Sequence, residues 1–137
     1  AEGRATAEAL NAIRAGSAIF LEQDVRDEKR WTEVVAKAVE TFGGLHVLVN
    51  NAGLVRMGTP DAVTLEDFRL HNAVMSEGVF LGCKHAIPAI AKSGHGSIIN
   101  VSSVASHLGY PVYFAYSAAK GAVRAMTKSL AVWCQMN

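Results

Sequence analysis

Short apolar stretches alternate with longer amphipathic stretches along this chain of 137 residues, and the alternation restricts the fold more than any other feature. The apolar stretches cover residues 18–21, 45–49 and 98–101, each about the length of a buried strand. Strands separated by helices pair in parallel through right-handed crossovers. The sequence therefore predicts an α/β fold with a doubly wound parallel sheet.

Two of the intervening stretches have clear helix signals. The first follows Asp27, a favoured N-cap residue, and its apolar side chains recur at helical spacing up to Phe42, before a pair of glycines that begins at Gly43. The second runs from about Tyr113 to the end of the chain. We expect an amphipathic helix in both places.

A third helix is predicted between the second and third strands. Thr64 and Asp67 resemble a capping box, and the helical pattern continues to about Ile90. Within it, Gly78 and Gly82 lie one turn apart. Because the surrounding residues are too polar for a membrane helix, these glycines indicate close packing against another element.

Composition favours a small-molecule partner. Thirteen basic and twelve acidic residues are spread along the chain and give a net charge of +1, so we expect neither nucleic acid nor a membrane surface as a partner. No apolar run or leader suggests export, and a cytoplasmic location is the default. No metal site is expected, because the histidines are dispersed and are predicted at the surface or in turns: His46, His71, His85, His95 and His107.

Ligands of such sheets bind outside the carboxyl ends of the strands. That rule selects Asp24 and Val25 after the first strand, residues 50–53 after the second, and Ser102 and Ser103 after the third. Each of these polar residues alone could be a helix cap or a turn former. Their joint placement makes this edge the candidate site.

Tyr116 and Lys120 are the strongest candidates for chemistry. Four residues apart on a helix, the phenol and the ammonium share one face, and a nearby cation favours phenolate over phenol. A tyrosine in that setting can act as an acid or a base near neutral pH. Ser103, at the end of the third strand, could hold a substrate oxygen while Tyr116 exchanges its proton.

Three motifs together resemble the short-chain dehydrogenase/reductase family in wording, order and separation. They are Leu48-Val49-Asn50-Asn51-Ala52-Gly53, Ile98-Ile99-Asn100-Val101-Ser102-Ser103 and Tyr116-Ser117-Ala118-Ala119-Lys120. The resemblance implies a Rossmann-like domain over residues 1–137, incomplete at both ends, that interconverts an alcohol and a ketone or aldehyde with NAD or NADP. It further implies a homodimer or homotetramer at full length.

The resemblance also assigns roles to individual residues. Tyr116 would be the general acid/base, and Ser103, thirteen residues earlier, would polarise the substrate oxygen. Lys120 would lower the pKa of Tyr116 and bind the nicotinamide ribose. The implied cofactor-binding residues are Asp24, Val25, Asn50, Asn51, Ala52, Gly53, Tyr116 and Lys120. Asn100 is expected to tie strands together rather than to touch substrate.

The chain departs from the family pattern in two respects. The Gly-rich phosphate loop is absent from these 137 residues, as are the second strand and the C-terminal substrate lid, so the choice between NAD and NADP cannot be made from them. Met75 stands where the family has an asparagine that is assigned to a proton relay and to a local helix distortion.

Two other functions compete with this interpretation. A serine hydrolase would need a nucleophile elbow, but the chain has no G-x-S-x-G, and His107 follows Ser103 by only four residues. A truncated or degenerate scaffold without turnover would account for the missing phosphate loop and for Met75. The intact set of Ser103, Tyr116 and Lys120 favours the enzyme.

Overall fold

The computed structural model describes residues 2–136, in which helices flank a small parallel sheet. Strand β1 is Val47–Asn50 and strand β2 is Ser97–Asn100. The helices are α1 (Glu2–Ile13), α2 (Glu28–Phe42), α3 (Leu65–His71), α4 (Gly78–Lys92) and α5 (Phe114–Met136). Residues Asn72–Glu77 form a π-helical segment, and Val104–Ser106 form a short 3₁₀ helix.

The two strands pair in parallel and in register. Val47 lies opposite Ser97, and Asn50 lies opposite Asn100. The connection between them runs through α3 and α4, as expected for a crossover that joins parallel strands. The predicted α/β class and both of these strands are therefore confirmed.

The predicted strand at residues 18–21 is not formed. In the described part of the chain, no neighbouring strand pairs with it. Instead, the side-chain amide of Asn11 bonds to Ala18, donating to its carbonyl oxygen over 2.9 Å and accepting from its N–H over 3.1 Å. A β-strand needs partners for its backbone groups along its length, and here a side chain supplies one at Ala18.

Helix α2 begins and ends where the sequence predicts. The Asp27 carboxylate accepts from the backbone N–H of Arg30 over 3.1 Å, and Gly43 closes the helix at a φ of 81°, a left-handed conformation that suits glycine. Trp31 is buried and donates from its indole N–H to the carbonyl oxygen of Val25 over 2.9 Å. The α2 helix is thereby attached to the segment that carries Asp24 and Val25.

The long helix between the strands is present, but it is interrupted. Thr64 caps α3 by accepting from the backbone N–H of Asp67 over 3.0 Å, as predicted. The single continuous helix that the sequence suggested is wrong, because the π-helical segment separates α3 from α4. A π-helical turn contains more residues than an α-helical turn, so the segment changes which residues face the sheet before and after it.

Gly78 and Gly82 allow α4 to pack closely, as predicted. A Cβ on Gly78 would lie 2.9 Å from a methyl carbon of Val25, and one on Gly82 would lie 3.0 Å from the Trp31 ring and closer still to the Asn50 side chain. At these two glycines, α4 therefore packs against α2, against the segment before α2, and against β1. Within residues 2–136, every helix is too short or too polar to cross a membrane.

Candidate active site

The carboxyl ends of β1 and β2 meet at one edge of the molecule, next to the first turns of α5. The loop that follows β1 approaches the segment leading into α5, where the N–H of Gly58 donates to the carbonyl oxygen of Val112 over 2.8 Å. Gly58 and Tyr113 form an isolated parallel bridge at the same point. Two loops and one helix end therefore surround the candidate site.

Tyr116 and Lys120 lie on one face of α5, as their spacing predicts. The Lys120 ammonium nitrogen is 5.9 Å from the centre of the Tyr116 ring. It donates to the carbonyl oxygen of Val101, directly after β2, over 2.6 Å. Only 5% of Lys120 is exposed, and this burial lowers the pKa of its ammonium group. The helix thus holds a cation beside the tyrosine.

A cavity of about 360 Å³ lies between these two side chains and the loop after β1. Its lining consists of Asn51, Gly53, Leu54, Val55, Val101, Ser102, Tyr116 and Lys120. Five residues named from the sequence therefore meet around one cavity: Asn51, Gly53, Ser102, Tyr116 and Lys120. This is the size and composition of a site for a small organic group.

Of the two serines after β2, Ser102 lines the cavity and Ser103 lies beside it. The Ser102 hydroxyl donates to the carbonyl oxygen of Lys120 over 3.0 Å. The Ser103 hydroxyl accepts from the N–H of Ala105 over 3.2 Å and caps the 3₁₀ helix. Since that bond uses Ser103 only as an acceptor, its own hydroxyl proton remains able to donate to another group.

A second cavity, of about 140 Å³, adjoins the first at Asn51. It is lined by Val25, Asn50 and Ala52, three further residues that the resemblance assigns to cofactor binding. Gln23, from the same segment as Val25, lines it as well. The side-chain nitrogen of Gln23 is buried and has no hydrogen-bond partner among the described residues. The two cavities follow the edge of the sheet from Val25 to Tyr116.

Asp24 lies outside both cavity linings and pairs with Arg26. The guanidinium donates to both carboxylate oxygens, with a shortest N–O distance of 2.6 Å, and this pairing lowers the pKa of Asp24 to about 2. The carboxylate is half exposed, so an acceptor oxygen can still take another donor.

Asn50 and Asn100 form a polar link between the strands. The Asn50 amide donates to the side-chain oxygen of Asn100 over 2.8 Å, and Asn100 donates in turn to the Thr127 hydroxyl over 3.0 Å. Thr127 lies on α5, so the link joins both strands to the helix that carries Tyr116 and Lys120. Asn100, the last residue of β2, thus ties the two strands together, as predicted.

Met75 is completely buried beside the cavity. It lies in the middle of the π-helical segment, and its sulfur is 3.4 Å from the position that a Cβ on Gly53 would occupy. Lys120 Nζ lies 3.8 Å from that same position. The helix distortion is therefore present with methionine in place of the family's asparagine.

His71 was wrongly expected at the surface. It is fully buried at the end of α3, and its ring stands edge-on to Tyr116 with the ring centres 6.3 Å apart. No local pattern distinguishes a buried histidine from an exposed one when the helix around it is amphipathic. The one sequence signal was its position one turn after Asp67, whose carbonyl oxygen it bonds.

The chain belongs to the short-chain dehydrogenase family, whose family model matches residues 1–135. It is 43% identical over 136 residues to the trans-4-hydroxycyclohexanecarboxylate dehydrogenase of Sinomonas cyclohexanicum, covering 96% of this chain and 52% of that protein. It is 41% identical over 131 residues to the 3-alpha-(or 20-beta)-hydroxysteroid dehydrogenase of Mycobacterium tuberculosis, covering 96% and 49%. These relatives are dehydrogenases, which supports an oxidoreductase.

A solved structure has the same arrangement. The crystal structure of a short-chain dehydrogenase from Streptomyces avermitilis superposes with a TM-score of 0.84 at 28% identity, and the match covers 95% of this chain and 48% of that one. The Rossmann-like fold is thereby confirmed. The chain spans about half the length of these relatives.

Proposed function

We propose that these 137 residues are the central part of an oxidoreductase that moves a hydride between NAD or NADP and a small alcohol or carbonyl compound. The observation that carries the proposal is the cavity of about 360 Å³ in which Tyr116 and Lys120 face the loop after β1. An acid/base group, a buried cation and an adjoining second cavity are the parts that such a transfer needs. A scaffold without turnover would need none of them.

Tyr116 is the general acid/base in this proposal. During oxidation it takes the proton of the substrate hydroxyl, and during reduction it returns that proton to the carbonyl oxygen. Ser103 donates its hydroxyl proton to the same substrate oxygen and so fixes its position. The positive charge of Lys120 stabilises the negative charge that develops on the phenol oxygen.

The residues around the two cavities would hold the cofactor. Val25, Asn50, Asn51 and Ala52, around the smaller cavity, would hold the adenosine. The half-exposed carboxylate of Asp24, next to Val25 in sequence, would accept from the adenine amino group. Gly53 offers no side chain that would obstruct the larger cavity, where Lys120 can donate to a ribose hydroxyl. When bound, the nicotinamide accepts or supplies the hydride.

The substrate proposed is an alcohol whose hydroxyl is carried on a carbon ring. Two of the relatives are named for a hydroxycyclohexanecarboxylate and for a hydroxysteroid. Apolar side chains in the segments next to the cavity are exposed, among them Val55, which lines it, Met57 in the same loop, and Val104 after Ser103. Such a surface suits the apolar carbon skeleton of a ring better than a charged chain.

At full length we propose one Rossmann-like domain, of which residues 1–137 are part, in a homodimer or a homotetramer without nucleic acid or membrane partners. A cytoplasmic location accords with the family. Since this segment spans about half of its relatives, the activity is tested on the full-length gene product.

The test is Tyr116→Phe, with Tyr110→Phe as the matched control. Tyr110 belongs to the same row of tyrosine rings but does not line the cavity. We expect Tyr116→Phe to lower the turnover of a cyclic secondary alcohol by roughly 10²–10⁴-fold, because the variant has no proton to exchange. Cofactor affinity, measured by nucleotide fluorescence, should stay near that of the unmodified protein, and Tyr110→Phe should stay active. Retention of most turnover by Tyr116→Phe would refute the assignment.

A further inference from the structure

The imidazole of His71 is held from both of its nitrogens in the interior of the protein. His71 is 0% exposed. Its Nδ1 lies 2.7 Å from the carbonyl oxygen of Asp67, one turn earlier in α3. Its Nε2 lies 3.1 Å from the backbone nitrogen of Arg56, in the loop after β1. One side chain therefore joins a helix to a loop of the candidate active site.

These two partners determine which nitrogen carries the proton. A carbonyl oxygen can only accept, so Nδ1 must donate to Asp67. A backbone N–H can only donate, so Nε2 must be unprotonated and accept from Arg56. The contacts thus require a neutral imidazole with its proton on Nδ1, and they also fix the orientation of the ring.

The loop bond lies directly next to the cavity lining. Arg56 follows Leu54 and Val55, which line the cavity of about 360 Å³. Its guanidinium also pairs with the Asp67 carboxylate over 2.7 Å. The loop is therefore attached to α3 by a surface ion pair and by the buried bond to His71. Of the two, the bond to the fully buried His71 is the better shielded from water.

The ring of His71 also supports the tyrosine. The His71 and Tyr116 rings meet edge to face at an interplanar angle of 80°. Edge-to-face contacts prefer this separation and angle, and they restrain the orientation of both rings. His71 thus touches the two walls between which a substrate would react, the loop after β1 and the tyrosine.

We propose that His71 is a positioning residue that sets the distance between Tyr116 and the loop after β1. The role in catalysis rests on the proposed function, whereas the neutral tautomer and the bond to Arg56 do not. His71 itself touches no reacting atom. It acts by holding the acid/base and the loop in one fixed relation.

Two substitutions separate the hydrogen bonds. In His71→Gln, the side-chain oxygen can reach the position of Nε2 and accept from Arg56, while the bond to Asp67 is lost. In His71→Asn, the amide nitrogen can replace Nδ1 on Asp67, while the loop loses its acceptor. We expect His71→Gln to stay within roughly threefold of the unmodified enzyme and His71→Asn to lose roughly 10- to 100-fold in kcat, with a smaller change in KM. His95→Gln and His95→Asn, at an exposed loop position, serve as matched controls.

Equal losses of activity in the two variants, with equal losses of thermal stability, would show that His71 only fills space and would overturn the proposal. Two measurements need no turnover. Nitrogen NMR of the unmodified full-length protein should show the Nδ1-protonated neutral ring, and exchange of the Arg56 amide should accelerate in His71→Asn but not in His71→Gln. A charged ring, or unchanged exchange in His71→Asn, would refute the positioning contact. If Tyr116→Phe stayed active, the proposed function would fail while these two measurements still decided the contact.

Discussion

Lys120 is a positive charge placed where little water reaches it. Only 5% of the residue is exposed, and its ammonium has the Val101 carbonyl oxygen as a hydrogen-bond partner. Burial disfavours the charged form, so the pKa of Lys120 is lowered from its ordinary value of 10.5. The burial that accompanies its proposed role beside Tyr116 therefore costs folding free energy.

This cost predicts a dependence of stability on pH. Below the lowered pKa, Lys120 is charged in both the folded and the unfolded chain, and the folded protein bears the full cost. Between the lowered pKa and 10.5, the unfolded chain binds a proton that the folded protein has released, so the free energy of unfolding rises with pH. Urea titrations of the unmodified protein and of Lys120→Met should show a difference that shifts in favour of the unmodified protein toward high pH. Lys92→Met, at an exposed lysine, is the comparison, and a difference independent of pH would contradict the prediction.

Met75 allows a direct test of the relay that the family resemblance assigns to its position. A thioether accepts weakly and cannot donate, whereas an amide does both. The Met75 sulfur and Lys120 Nζ both lie within 4 Å of the same point beside Gly53, so an amide at position 75 would lie near the lysine. In the full-length enzyme we expect Met75→Asn to raise the turnover number and to change its solvent isotope effect, with little change in cofactor affinity. Met75→Leu, which preserves volume without adding a donor, should leave the isotope effect as it is. Identical isotope effects in Met75→Asn and Met75→Leu would show that the side chain at position 75 contributes only to packing.

Among the elements, the helix between the two strands shows where sequence patterns suffice and where they do not. Its start at Thr64 was predictable, because a side-chain oxygen and an N–H three residues later form a local bond. The π-helical segment had a signal only in the family resemblance at position 75, because the local pattern carries no trace of its packing against α5, which lies far away in sequence. Ser76 illustrates this, since its hydroxyl lies 3.4 Å from the carbonyl oxygen of Ala119 in that helix. The burial of His71 was not predicted for the same reason, because Tyr116, against which its ring packs, lies far away in sequence.

Close packing of α4 predicts opposite effects for two glycine substitutions in helices. A Cβ on Gly82 would overlap the Asn50 side chain and press on the Trp31 ring, so the link between the strands would have to move. We expect Gly82→Ala to lower the free energy of unfolding by about 1–3 kcal/mol. A Cβ on Gly121 in α5 meets nothing within 4 Å, so Gly121→Ala should be stabilising by about 0.5–1 kcal/mol, because alanine favours the helix. Urea unfolding of both full-length variants measures the difference, and a stable Gly82→Ala would show that α4 can move away from β1.

For the whole molecule, the sequence was most informative where an element finds its partners within these residues. The strands at 47–50 and 97–100 pair with each other, and the face shared by Tyr116 and Lys120 follows from helix geometry alone. Residues 18–21 have the composition of a strand but remain unpaired, because in a doubly wound sheet this strand would pair with one that the 137 residues do not contain. Composition predicts that a segment can be a strand, but only its neighbours can make it one.

The same reasoning predicts the behaviour of the 137-residue segment on its own. In doubly wound folds the pyrophosphate of a dinucleotide rests on a Gly-rich turn at a helix N-terminus, and the segment contains no such motif. In the proposed function, the residues around the two cavities would contact the adenosine and the nicotinamide ribose, and the pyrophosphate would need the Gly-rich turn. We therefore expect the isolated segment neither to bind NADH or NADPH at micromolar concentration nor to oxidise an alcohol, whereas the full-length product should do both. Calorimetric titration of the two proteins with each nucleotide makes the comparison, after circular dichroism has established that the segment is folded. Micromolar binding by the folded segment would show that the cavities alone hold the cofactor.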